Sequence, residues 1–150
     1  MRPIGTMNIG YEYGYLYAAV NPASGELFGL ILPLMTVESM KVFVEEFRRW
    51  LKSNGTAETE TRLILDGAGA YRSGRISYGK PDKQLLPPYS PELNPVERFF
   101  QELRRELKNK VYESYEEVEK AVEEIFKRYL RKPEAVKKLT NFHWLHTTPT

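Results

Sequence analysis

The 150-residue chain has no cysteine. Disulfides, thiolate metal sites and cysteine nucleophiles are excluded by that alone. Histidine is nearly absent: His143 and His146 flank Trp144 near the C-terminus. A His-x-x-His pair with no further ligand seldom holds a metal, and a packed tail accounts for it. No apolar run approaches the ~20 residues of a membrane span. No basic-then-apolar signal peptide opens the chain, and there is neither an internal repeat nor a low-complexity tract. A reducing cytoplasm is compatible with the lack of cysteine. An excess of one charge is also lacking, since 22 Lys and Arg face 20 Asp and Glu.

What is present fits one globular domain. Hydrophobic residues make up 41% and aromatic residues 13%, too many for a disordered chain. The small net charge is unevenly spread. Residues 1–61 carry five cations and seven acids, residues 62–111 ten and six, and residues 112–150 seven of each. The basic surplus of the middle third can attract phosphates, although a solvated surface has the same composition.

Residues 11–20 alternate as a strand. Tyr11, Tyr13, Tyr15 and Tyr17 share one face at period two. Packing of a half-buried sheet face explains that stripe better than base stacking. Asn21-Pro22-Ala23-Ser24-Gly25 is a turn, and residues 26–32 return as a second strand. Thr36 is a helix N-cap, with Val37, Met40, Val44, Phe47 and Leu51 at helical spacing and Asn54-Gly55 at the end. Residues 62–66, Arg-Leu-Ile-Leu-Asp, read as a short strand buried on both faces. Another short strand is predicted near 83–86. Asn94-Pro95-Val96-Glu97 opens a helix whose buried stripe is Val96, Phe99, Phe100, Leu103 and Leu107. Ser114 with Glu117 begins a last long helix reaching about residue 131. A short helical piece follows Pro133. This order is α/β, with at least one parallel crossover.

Two acids stand out. Asp66 ends a buried strand, where an unused acid is unfavourable and where open α/β sheets bind ligands. Three readings compete. A dinucleotide fingerprint fails, because Arg72 stands where a third glycine belongs after Gly67 and Gly69. A turn started by Asp66 has no chemistry. A metal-binding carboxylate is the third. Glu97 has a capping role open to it at the third helical position. It also shares a helix face with Gln101, Arg104 and Lys108, an arrangement suited to a metal beside a nucleic-acid backbone. Hard divalent ions use one or two carboxylates plus waters and phosphates, and a pair of such ions serves phosphodiester chemistry.

The stretches Leu65-Asp66-Gly67-Ala68-Gly69-Ala70-Tyr71-Arg72 and Leu86-Pro87-Pro88-Tyr89-Ser90-Pro91-Glu92-Leu93-Asn94-Pro95-Val96-Glu97-Arg98-Phe99-Phe100 resemble a DDE transposase. The resemblance is to bacterial and archaeal insertion-sequence members of the mariner superfamily, and it spans most of residues 10–131. The turn at 21–26 is similar too. The likeness implies an RNase H-like mixed sheet flanked by helices. It also implies metal-dependent DNA strand cleavage and transfer with Mg²⁺ or Mn²⁺, action on transposon ends and target DNA, and association with the nucleoid. On it, Asp66 is the second acid of a catalytic triad and Glu97 the third, both as metal ligands. Arg72, Arg98, Arg104, Arg105 and Lys108 become candidates for phosphate contacts, with Asn94 as a structural cap.

Two departures accompany the resemblance. The family often has histidine where this sequence has Tyr71. Its first acid lies on a central strand that precedes the hairpin, and residues 1–9, Met-Arg-Pro-Ile-Gly-Thr-Met-Asn-Ile, hold no acid. Pro3 and Gly5 make that segment a poor strand, so it is expected to be irregular and the central strand missing. The family's helix-turn-helix region has no counterpart here. Glu12 lies on a neighbouring strand at the wrong end to substitute. The expected organisation is an irregular segment at 1–9, a partial catalytic domain at 10–131 and a tail at 132–150. Such a chain should be inactive alone. It should be unstable, or pair across the gap with another copy or with a separately encoded N-terminal fragment. The alternatives are a non-catalytic remnant or a subunit that only binds nucleic acid or protein, and a structure-specific nuclease of the same fold.

Overall fold

The computed structural model describes residues 2–9, 14–54, 62–65, 82–85, 94–108 and 110–141. Five strands form one sheet: β1 (Arg2–Asn8), β2 (Tyr15–Asn21), β3 (Glu26–Leu32), β4 (Arg62–Leu65) and β5 (Asp82–Leu85), in the order β3-β2-β1-β4-β5. The first three are antiparallel neighbours, while β4 runs parallel to both β1 and β5. Four helices follow the same chain: α1 (Val37–Ser53), α2 (Pro95–Leu107), α3 (Tyr115–Leu130) and α4 (Pro133–Thr140).

The expected gap in the sheet does not exist. Residues 2–8 form a strand at the centre, pairing Ile4 with Ala19 on one side and Pro3 with Ile64 on the other. The expectation of an irregular segment is corrected by two details of context. Pro3 lies outside the ladder with β2, which begins at Ile4, so its missing donor is not needed there. Gly5 is required rather than merely tolerated. A Cβ at that position would stand 2.5 Å from Val96 Cγ1 and 3.0 Å from Phe100 Cε2. Helix α2 therefore rests directly on the β1 backbone. With the sheet whole, the reason for expecting an unstable chain is removed.

The sheet is covered on both faces. On one, Met7, Ile9, Leu16, Ala18 and Val20 pack against Val96, Phe99, Phe100 and Leu103 of α2, Val118 and Val122 of α3, and Val136 of α4. On the other, Ile4, Tyr17 and Ala19 pack against Met40, Phe43, Val44, Phe47 and Leu51 of α1. The tyrosine stripe is a packing feature where it is described. Tyr17 is 1% exposed and gives its hydroxyl proton to the Leu34 carbonyl at 2.8 Å. Its ring lies 5.6 Å from that of Phe43. Tyr11 and Tyr13 fall outside the described residues.

Sequence capping signals set the helix ends. The Thr36 hydroxyl accepts from the Ser39 N–H and the Ser114 hydroxyl from the Glu117 N–H. The turn between β2 and β3 closes through Gly25 N–H to the Asn21 carbonyl at 2.7 Å, with Gly25 at φ 81°. A side chain there would also strike the Pro133 carbonyl, so the hairpin turn and the start of α4 are fitted to each other. No helix among the described residues is long and apolar enough to cross a membrane.

Candidate active site

The amino end of α2 is held against the central strand by one side chain. Asn94 is 4% exposed. Its Oδ1 accepts from Val96 N–H at 3.2 Å, which caps the helix, and its Nδ2 donates to the Ile4 carbonyl at 2.7 Å. Pro95 fits the first helical position because no donor is needed there. Ile4 follows Pro3, the residue paired with Ile64 of β4, and β4 ends one residue later at Leu65. The start of α2 is thus fixed to β1, the direct neighbour of β4, and the chain continues from β4 to Asp66. Asp66 itself lies outside the described residues, as do Glu12, Tyr71, Arg72, His143 and His146.

Glu97 sits on the first turn of α2, its side chain 21% exposed. Its backbone N–H closes the first helical turn to the Asn94 carbonyl at 3.0 Å. The carboxylate points along the helix instead of back to the cap, and Oε1 accepts from Arg104 at 3.1 Å. The pairing is of the i, i+7 kind and lies along the face read from the sequence. A half-buried anion at a helix amino end is also favoured by the helix dipole.

The remaining basic candidates occupy the outer side of α2. Arg98 donates to Gln101 at 3.0 Å and lies 3.9 Å from Glu102. Arg105 pairs with the same Glu102 at 2.5 Å. Lys108 is the C-cap residue and is exposed. Among the described residues no three His, Asp or Glu side chains gather as a metal cage. The β1 strand offers no acid, and the close approach of Val96 and Phe100 to Gly5 leaves no room for one at that position. The contribution of Ile4 and Gly5 was not readable in the sequence. Its only sign was the unexplained small residue within the segment that precedes the hairpin.

Residues 14–119 match the DDE superfamily endonuclease family. The chain belongs to that family. An uncharacterized protein, y4pE/y4sA, from Sinorhizobium fredii (strain NBRC 101917 / NGR234) is 34% identical over 110 residues, covering 71% of this chain and 77% of the relative. The solved Mos1 transposase paired-end complex with left transposon end superimposes with a TM-score of 0.63. That likeness covers 91% of this chain at 18% identity, and the chain spans 45% of the length of that transposase. The fold is accordingly RNase H-like, and the resemblance to the DDE family read from the sequence is borne out.

Proposed function

We propose that this chain is a DNA-transposition unit in which Asp66 and Glu97 hold a divalent ion against a DNA phosphate, and that the chain alone does not cut DNA. The observation that supports it is the Asn94 bond to Ile4, which fixes the helix bearing Glu97 to β1, the neighbour of the strand that leads into Asp66. Two carboxylates with waters and phosphate oxygens fit Mg²⁺ or Mn²⁺, which bind through hard oxygens and rarely through a full protein cage. When bound, such an ion supplies charge neutralisation and activation of an attacking oxygen in phosphodiester chemistry.

The chain's own residues would do the following. Glu97 presents an anionic oxygen from a helix turn that capping holds rigid. Arg104 restrains that carboxylate through its 3.1 Å bond and faces the approaching phosphate with positive charge. Arg72, Arg98, Arg105 and Lys108 would contact the DNA backbone, fixing register without reading sequence. The Arg98 and Arg105 pairs with Glu102 are surface bonds, weak enough to be exchanged for phosphate.

Inactivity of the chain alone follows from β1. A two-ion site needs more ligands than two carboxylates, and the strand at the centre of the sheet adds none. Binding to duplex DNA and nicking of supercoiled plasmid in Mg²⁺ and Mn²⁺ test the reading together. DNA binding that weakens steeply with salt, without nicking, is expected. Nicking that is abolished by Asp66→Ala would contradict the inactive reading and require a further acid. No DNA binding at low salt would contradict the whole proposal.

A further inference from the structure

β3 is one margin of the sheet, and among the described residues no strand pairs with its outer edge. Natural sheet edges are protected by charge, proline, bulges or brevity. β3 has none of these. Its seven residues, Glu-Leu-Phe-Gly-Leu-Ile-Leu, carry a single charge at the first position. The chain leaves it through Leu34 and Met35, which are 53% and 57% exposed. Beside it, a cavity of about 330 Å³ opens between β3 and α3, lined by Gly29, Ile31, Val122, Phe126 and Leu130.

We propose that this margin is a two-fold interface, in which β3 pairs antiparallel with β3 of a second copy about Gly29, its middle residue. The charge pattern of α3 selects that occupant. The Phe126 ring lies on Gly29, where a Cβ would stand 2.7 Å from Cζ, so Phe126 marks the part of α3 nearest the two-fold axis. Before it, α3 carries Glu116, Glu117, Glu119, Glu123 and Glu124 against Lys120 alone. After it come Lys127 and Arg128, then Arg131 and Lys132. Arg128 is held by Glu106, whereas Lys127, Arg131 and Lys132 form no ion pair among the described residues.

A helix dipole favours such polarity only in the first and last turns. Here acid extends to the middle of the helix. A two-fold axis sets α3 antiparallel to its copy and places each acidic half opposite a basic half, so the same surface complements itself. Glu123 then lies opposite the basic stretch of the second copy that begins at Lys127, and the reverse. Apolar Leu27, Phe28, Leu30 and Ile31 become strand neighbours across the axis, and the free backbone groups of both edges are paired.

Sedimentation equilibrium of the full chain tests this, with Glu123→Lys and Lys127→Glu as separate exposed-site variants. The wild type should form dimers and nothing larger. Each variant alone repels its own copy and should dimerise roughly 10- to 100-fold more weakly. A one-to-one mixture of the two variants should recover the dimer, since one then supplies lysines and the other glutamates. Hydrogen exchange on the wild type gives a reading free of variants: amides of 26–32 should become more protected as concentration rises. A wild-type monomer at every concentration, assemblies beyond the dimer, variants that dimerise as well as the wild type, or β3 amides indifferent to concentration would each overturn the proposal.

Discussion

Asn94 Nδ2 lies 2.7 Å from the Ile4 carbonyl across 90 residues of sequence. One buried amide thereby caps α2 and attaches it to the central strand. Substitution with aspartate keeps the capping oxygen and removes the donor, leaving a carboxylate facing a carbonyl. Asn94→Asp should lower unfolding free energy by about 1–3 kcal/mol, measured by urea denaturation. A variant as stable as the wild type would show that the Ile4 bond contributes nothing.

Gly5 gives a second handle on the same contact. Gly5→Ala should destabilise by about 1–3 kcal/mol through overpacking, because its Cβ would approach Val96 Cγ1 to 2.5 Å. Val96→Ala in the same chain should recover part of the loss, and a double-mutant cycle measures the coupling. Additive effects would mean that α2 does not rest on β1 at Gly5.

Burial raises the Tyr17 hydroxyl above its ordinary pKa of 10.0, with the nearby Ser39 side chain and Thr36 backbone opposing the shift in part. A raised folded-state value means that the unfolded chain releases its proton first as pH climbs. The stabilisation is therefore complete below about pH 10, the unfolded value, and fades above it. Alkaline unfolding should begin in that range. Tyr17→Phe should lose the hydrogen bond to Leu34 at neutral pH, about 1 kcal/mol, while showing a shallower loss of stability above pH 10. Identical alkaline slopes for both proteins would remove Tyr17 from the account.

Arg104 holds the Glu97 carboxylate at 3.1 Å, so an ion and Arg104 compete for it. Arg104→Gln should tighten Mn²⁺ binding several-fold by removing a like charge beside the ion, while weakening DNA binding. Unchanged metal affinity, read by titration calorimetry, would place the ion away from Glu97.

Most of the fold was readable because its ends are written in local chemistry. Thr36, Asn94 and Ser114 each cap a helix at the position read from the sequence, and the turn at 21–25 placed the returning strand at 26–32, where β3 lies. β1 was not readable. Its composition opposes a strand, and its reason for being one lies in Val96 and Phe100, about ninety positions away. Tertiary context overrides propensity at such a place. Of the candidate site, Glu97, Arg104 and the Asn94 cap followed from spacing. The second bond of Asn94 did not, since nothing local names Ile4 as its partner.

On the proposed reading, Asp66 and Glu97 share one divalent ion. Mn²⁺ binding by electron paramagnetic resonance, on the wild type and on Asp66→Asn and Glu97→Gln, tests it most directly. The account predicts saturable binding in the wild type and loss of roughly tenfold or more in each variant, as removal of one of two charged ligands requires. Full affinity in either variant would contradict it.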